Sequence, residues 1–109
     1  MKFTKTIKAS KVIKLELKEK GNQVARGFLY LIKNDLHKRP YGLIEDVFVS
    51  ESLRGQGIGS ELIIELIKTA KKQKCYKLVA TSRTSKPLVH KLYKKLGFKH
   101  HGLEFRINF

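Results

Sequence analysis

Arg54-Gly55-Gln56-Gly57-Ile58-Gly59-Ser60 follows the apolar run Val47-Phe48-Val49 and opens a stretch of helical periodicity. Glycines at this density let backbone N–H groups approach a ligand with no side chain in between. A helix beginning at Gly57 would start with amides that have no internal acceptor and carry partial positive charge. Such a terminus takes phosphate. Strand, Arg-x-x-Gly-x-Gly and amphipathic helix, in that order, form the unit from which the rest of the chain is read.

Downstream, Ile58, Leu62, Ile63, Leu66, Ile67 and Ala70 recur at helical spacing, so a helix is expected from about Gly57 to Lys74. Its acidic residues, Glu61 and Glu65, lie near the start and its lysines near the end, as the helix dipole favours. Lys77 to Thr81 reads as a short buried strand, and Ser82 to Lys86 as a polar loop. Pro87 suits a first helical turn. Leu88, Val89, Leu92, Tyr93 and Leu96 make one helix face, with Gly97 placed to cap its end. Phe98 to His100 and Leu103 to Ile107 read as two further strands broken at Gly102.

Upstream, Val12 to Lys18 alternates apolar and polar side chains, the pattern of a half-buried strand. A turn at Gly21-Asn22 and a second strand over Val24 to Ile32 predict a hairpin. Asn34 to Pro40 is a polar loop, and Gly42 to Val49 a third strand. Hairpins bring antiparallel neighbours, whereas strand–helix–strand brings a parallel one. The expectation is a single domain over residues 1–109 with a mixed α/β fold, a twisted mixed sheet and few flanking helices.

Lys and Arg together number 24 against 9 Asp and Glu, a formal net charge of +15. That field suits a polyanionic partner, nucleic acid included. Only five of the basic residues are Arg, the side chain best shaped for bidentate phosphate recognition, so a solvated lysine surface is the plainer reading. Weak nucleic-acid contact is the most this composition supports. The apolar fraction of 41% is ordinary for a globular chain. No run is long enough to span a bilayer, and Met1-Lys2-Phe3-Thr4-Lys5 has no signal-like apolar stretch. Cys75 is alone, and His100-His101 on one strand would point opposite ways. A cytoplasmic protein without a metal is expected.

Arg54-x-x-Gly57-x-Gly59 resembles the acetyl-CoA pyrophosphate loop of the GNAT superfamily of N-acetyltransferases. Two flanking segments resemble the same family: Glu45-Asp46-Val47-Phe48-Val49 its fourth strand, and Leu92-Tyr93-Lys94-Lys95-Leu96-Gly97-Phe98 its late Leu-Tyr-x-x-x-Gly-Phe motif. The resemblance covers residues 42–105. It implies a GNAT fold, acetyl-CoA as cosubstrate and no metal. The helices that the family places between its first two strands are reduced or absent here, so the acceptor half is expected to be pared down. Exposed sheet edges and the family's habits make a homodimer an expectation as well.

Acetyl transfer to an amine requires the amine to lose a proton and the departing thiolate to gain one. An amine of pKa about 10.4 is neutral in roughly one molecule per thousand or fewer at pH 7, so a proton acceptor is needed. Glu45 and Asp46 are the candidates. Their pairing resembles the glucosamine-6-phosphate and polyamine acetyltransferases, which supports Glu45 as base and leaves Asp46 to position the amine or the strand. Cys75-Tyr76-Lys77 and Gly102-Leu103-Glu104 resemble the first of these enzymes too. Tyr93 stands where the family usually carries its general acid, although its helix face would serve equally as core. The cofactor contacts implied are Val47, Phe48 and Val49, with backbone groups along the pantetheine chain, and Arg54, Gly55, Gln56, Gly57, Ile58, Gly59 and Ser60 around the pyrophosphate. Lys86 occupies the place of an Asn that contacts the cofactor in many members.

The expected function is acetyl-CoA-dependent N-acetylation of a primary amine. A protein amine is slightly favoured as acceptor because a reduced acceptor half leaves the cleft open. A phosphorylated amino sugar is the alternative. The rival of another class is a basic protein that binds coenzyme A or nucleic acid on this scaffold without catalysis.

Overall fold

The computed structural model describes all 109 residues. Four strands form one sheet in the order β1 (Lys11–Glu19), β2 (Asn22–Ile32), β3 (Tyr41–Val49), β4 (Leu78–Ala80). The first three are joined antiparallel, and β3 and β4 run parallel. Helix α1 (Ile58–Lys72) connects β3 to β4, and α2 (Pro87–Lys95) follows β4. The mixed sheet is therefore the one the strand–helix–strand pattern predicts. No helix precedes β1 or lies between β1 and β2.

The hairpin turn sits one residue earlier than expected. Glu19 faces Asn22, and the two loop residues, Lys20 (φ 49°) and Gly21 (φ 80°), both adopt left-handed backbone. That geometry matches the right-handed twist of the strands it joins. A short 3-10 turn over Glu51–Leu53, with no periodic signature in sequence, separates β3 from the glycine loop.

The core is small and sits between the sheet and α1. Leu29, Leu31 and Ile44 from β2 and β3 meet Ile63, Leu66 and Ala70 from α1. The helix lies close because Gly27 presents no side chain beneath it: a Cβ there would come within 3.0 Å of Leu66 Cδ1. Cys75 packs at the margin of this core, and burial raises its thiol pKa, which keeps it protonated at neutral pH. β4 is only half-buried, not buried as its composition implied, because α1 lies over β2 and β3.

The two strands expected at Phe98–His100 and Leu103–Ile107 do not form within the single chain. A strand needs a partner for its backbone groups, and no segment of the same molecule lies beside either one. Residues 99–109 are exposed, as are residues 1–10, and the molecule measures 55 Å along its long axis against 31 Å in the other two directions.

Leu66 has no solvent exposure and touches both layers. Leu66→Ala should cost about 2–5 kcal/mol through lost transfer energy and an unfilled cavity. Urea unfolding followed by circular dichroism measures it. A loss below 1 kcal/mol, within the range of ordinary surface substitutions, would mean that this interface does not carry the fold.

Candidate active site

β3 has two halves with different neighbours. Its first half pairs with β4 at Gly42–Leu78, Leu43–Val79 and Ile44–Ala80, and there the pairing stops. From Glu45 to Val49 the strand has no neighbour on that edge, so its backbone groups there are open to a ligand. On its other edge β3 stays paired with β2, but across a bulge. Phe28 faces Glu45 and Arg26 faces Phe48, which leaves Asp46 and Val47 opposite Gly27 alone. Asp46 takes up the extra length with a left-handed backbone, φ 52°.

An Asp in that conformation is uncommon and calls for a restraint. Arg26 supplies it. Its guanidinium donates two hydrogen bonds to the Asp46 carboxylate, Nε to Oδ2 at 2.9 Å and Nη2 to Oδ1 at 3.0 Å. The same guanidinium lies 4.7 Å over the Phe48 ring. One side chain thus grips both residues flanking Val47. The Arg26 hydrogen bonds, aided by its charge, hold the Asp46 carboxyl below its ordinary range. Sequence reading passed over Arg26, since nothing in a strand's alternation marks which cation will meet a bulge.

Glu45 is exposed on the open stretch of β3. Tyr93 approaches from α2, half-buried and packed against the core. Burial raises the pKa of its hydroxyl, and the Glu45 carboxylate adds to the effect, which places the two groups within electrostatic reach. The end of α2 fixes the ring. Gly97, at φ 101°, lets the chain reverse, and Gly97 N–H and Phe98 N–H donate to the Lys94 and Tyr93 carbonyls. Phe98 then lies against Tyr93 with ring centroids 5.1 Å apart. This is the Schellman helix ending, with its hydrophobic contact between Phe98 and Tyr93. The Tyr-x-x-x-Gly-Phe spacing is the spacing that this ending requires.

At the far end of the open edge, Gly57 caps α1 at φ 79° and Gly55 stands at φ 82°. The first helical hydrogen bond runs from Glu61 N–H to the Gly57 carbonyl. The amides of Ile58, Gly59 and Ser60 have no acceptor within the protein, and no side chain caps them. Arg54 donates from Nε to the Val49 carbonyl at 3.3 Å, tying the loop back to the strand. The remaining loop residue, Gln56, is exposed. An open groove of about 440 Å³ runs from Val49 and Arg54 past Gly57 and Gly59 to Leu88 and Leu92 of α2.

Of the expected cofactor residues, Val49, Arg54, Gly55, Gly57, Ile58 and Gly59 line this groove, whereas Val47, Phe48, Gln56 and Ser60 do not, nor do Glu45 and Tyr93. Leu88 and Leu92, which periodicity placed on one helix face, line the groove, and Leu88 is 79% exposed. An unpaired leucine beside a helix-starting Pro was the available signal. Phe48 and Tyr76 both carry cations: Arg26 lies over Phe48, and Lys77 Nζ lies 5.6 Å from the Tyr76 ring centre. His37 also packs on Tyr76, at 4.0 Å. His90, isolated in sequence, bonds the Arg83 carbonyl and ties the polar loop to α2. No helix is long and apolar enough to cross a membrane.

In this structure the pairing of β3 with β4 ends beside a glycine-capped helix, with Tyr93 packed against the core nearby. The sequence profile of the Acetyltransferase (GNAT) family matches residues 8–98, and the chain belongs to that family. It is 39% identical over 71 residues to glucosamine 6-phosphate N-acetyltransferase of Trypanosoma brucei brucei, covering 64% of this chain and 46% of that protein. With the enzyme of the same name from Candida albicans it shares 33% over 90 residues, 82% of this chain and 58% of that one. A putative acetyltransferase from Agrobacterium tumefaciens str. C58 superposes with a TM-score of 0.81 at 31% identity, over 90% of this chain and 69% of the other. The chain spans about half the length of the two sequence relatives.

The Arg26–Asp46 pair has a signed pH dependence. A carboxyl with lowered pKa stabilises the fold above its unfolded value, about 3.9, and that contribution disappears as pH falls through the folded value. Asp46→Asn should therefore lower Tm at pH 7, and the gap to the unsubstituted chain should close as pH falls through the lowered Asp46 value. Arg26→Gln should do the same, and the double variant should be no worse than either single one. Thermal melts across pH test this. A gap that stays constant down to acid pH would show the pair to be incidental.

Proposed function

We propose that the chain transfers the acetyl group of acetyl-CoA to a primary amine. The observation that carries this reading is the unpaired edge of β3 from Glu45 to Val49, with unsatisfied helix amides at one end and Tyr93 at the other. Acetyl-CoA would supply an activated thioester. The amides of Ile58, Gly59 and Ser60, behind left-handed Gly57, suit its pyrophosphate. The exposed backbone of Val47 to Val49 suits the amide-bearing pantetheine arm. Arg54 acts by holding the loop and adding positive charge.

In the reaction the C–N bond forms and the C–S bond breaks. Glu45, exposed to an incoming acceptor, takes the amine proton directly or through one water. Tyr93 gives its hydroxyl proton to the leaving thiolate. Its raised pKa keeps that proton in place at neutral pH, and the Phe98 contact holds the ring. Asp46, occupied by Arg26, holds the strand and is not the base.

The acceptor we favour is a phosphorylated amino sugar. Two relatives carrying the name glucosamine 6-phosphate N-acetyltransferase support this over the protein amine that the sequence slightly favoured. A charge of +15 also attracts a sugar phosphate and repels polyamines. A protein amine remains the second reading because Glu45 and the groove stand open to solvent.

Gly57→Glu would strain a left-handed position and set a carboxylate where phosphate should lie. Calorimetric titration should show acetyl-CoA affinity reduced at least about tenfold while circular dichroism is unchanged. Retained affinity would move the cofactor elsewhere.

Glu45→Gln should lower turnover about a hundredfold, with partial recovery at high pH as the acceptor amine deprotonates on its own. Tyr93→Phe should slow turnover with little change in acetyl-CoA affinity. In the unsubstituted enzyme the alkaline loss attributable to Tyr93 should fall above the ordinary tyrosine value of about 10. Steady-state rates with glucosamine 6-phosphate and with lysine peptides decide both the roles and the acceptor. No acetylation of either class, together with nucleic-acid binding that survives about 0.3 M salt, would instead favour the basic binding protein.

A further inference from the structure

We infer that the phosphorylated amino sugar lies on the sheet face opposite α1, with its amine at Glu45, its ring on Phe28 and its phosphate at Lys14, a placement that rests on the acceptor favoured above. Strand register brings these residues together. Lys14 of β1 stands directly opposite Phe28 of β2, and Phe28 stands directly opposite Glu45 of β3. Residues opposed across antiparallel strands share a face, so the side chains form one row across the sheet. The face is the outer one. The chain neighbours Ile13, Leu15, Leu29 and Ile44 point the other way, into or against the core beneath α1. Lys14 and Glu45 are exposed and Phe28 is half-buried. A tight turn joins β1 to β2, so no segment between those strands crosses the row.

The row has the length and the polarity of the ligand. Opposed Cα atoms lie about 5 Å apart, so the Lys14 and Glu45 backbones stand about 10 Å apart with Phe28 midway. In a 2-amino-sugar 6-phosphate the nitrogen and the phosphorus lie about 7–8 Å apart across one pyranose ring, at about 1.5 Å per bond. Side chains leaning inward over Phe28 close the difference. The Glu45 carboxylate meets the ammonium before it loses its proton, and the Lys14 ammonium meets the phosphate. The face of an aromatic ring is the negative side of its quadrupole and suits the polarised C–H bonds on one side of a sugar. A phosphate at C1 of the same sugar adjoins the amine and cannot span the row.

Lys14 can turn to such a ligand. Its Nζ lies 5.7 Å from the Phe28 ring centre, near the limit of cation–π contact, and 3.3 Å from Glu16 Oε2 in an exposed ion pair. Both contacts are weak in water. Glu16 keeps Gln23 and Lys18 as partners when Lys14 leaves it. Arg26, on the same face of β2, is committed to Asp46 through two hydrogen bonds and is not the phosphate ligand.

Steady-state acetylation of glucosamine 6-phosphate, glucosamine 1-phosphate and glucosamine by the full chain tests the row. The unsubstituted chain should prefer the 6-phosphate to both others. Lys14→Gln should reduce kcat/KM for the 6-phosphate about tenfold or more, through KM, and narrow its preference over glucosamine by a similar factor. Lys14→Arg should retain most of that preference, and the Lys14→Gln effect should shrink at about 0.5 M salt. Phe28→Leu keeps apolar bulk and removes the ring face, so it should raise KM for the sugar and its 6-phosphate alike. Binding without turnover gives a second readout. In protein loaded with coenzyme A, glucosamine 6-phosphate should shift the NMR amide signals of residues 13–15 and 27–29. A Lys14→Gln variant with its full preference for the 6-phosphate, or shifts confined to other residues, would overturn the row and leave the acceptor reading standing. An unsubstituted chain that acetylates none of the three sugars would remove both.

Discussion

β3 serves two neighbours that it cannot follow together. It is hydrogen-bonded to β2 along nearly its whole length but to β4 through three residue pairs only. Past Ile44 the pairing stops, because β4 ends at Ala80, and the backbone of Glu45 to Val49 is left without a neighbour on that edge. Buried backbone groups without partners are costly, so an open edge persists only at a surface or beside a ligand. Here it lies beside a groove that ends at free helix amides. The position of the groove, the reach of Tyr93 and the exposure of Glu45 all follow from where that pairing stops.

The open edge is held by local restraints. The bulge at Asp46 lengthens β3 by one residue, and its left-handed backbone is strained for a residue with a side chain. The bidentate Arg26 contact and the Arg26–Phe48 stacking bind both sides of the bulge to β2. Gly27, opposite the bulge, lets Leu66 of α1 press on the sheet at the same level. Strain, ion pair and close helix packing therefore coincide within a few residues of Glu45. The dual tethering of Tyr93, through the Schellman ending at Gly97 and the Phe98 ring, brings comparable rigidity from the α2 side.

Much of this was legible in residue order. The helix over Ile58–Lys72 lies within the stretch that its periodicity marked, and Pro87 and Gly97 stand at the start of α2 and just past its end. These signals are local, because capping and amphipathic spacing act over a turn or two of helix. The partner of Asp46 was not legible. Arg26 is twenty residues away, and only the register of two strands brings it opposite the bulge. The groove-lining role of Leu88 was hidden for the same reason, since periodicity cannot tell an apolar face that meets protein from one that meets a cleft.

The terminal segments mark the boundary most sharply. Alternation at Leu103 to Phe109 specifies an extended strand with one apolar face, and that holds in any context, because successive side chains of an extended chain point opposite ways. It does not specify a neighbour. Strand pairing is satisfied by long-range contact, and within one molecule no edge lies beside these residues. By itself the sequence determined the family, the order of β1 to β4 with α1 and α2, and the glycine that caps α1. Tertiary structure alone decided that Arg26 would take Asp46, that the pairing of β3 with β4 would stop at Ile44, and that residues 103–109 would stand clear. Each of those outcomes depends on which distant backbone groups come to lie within a hydrogen bond of one another.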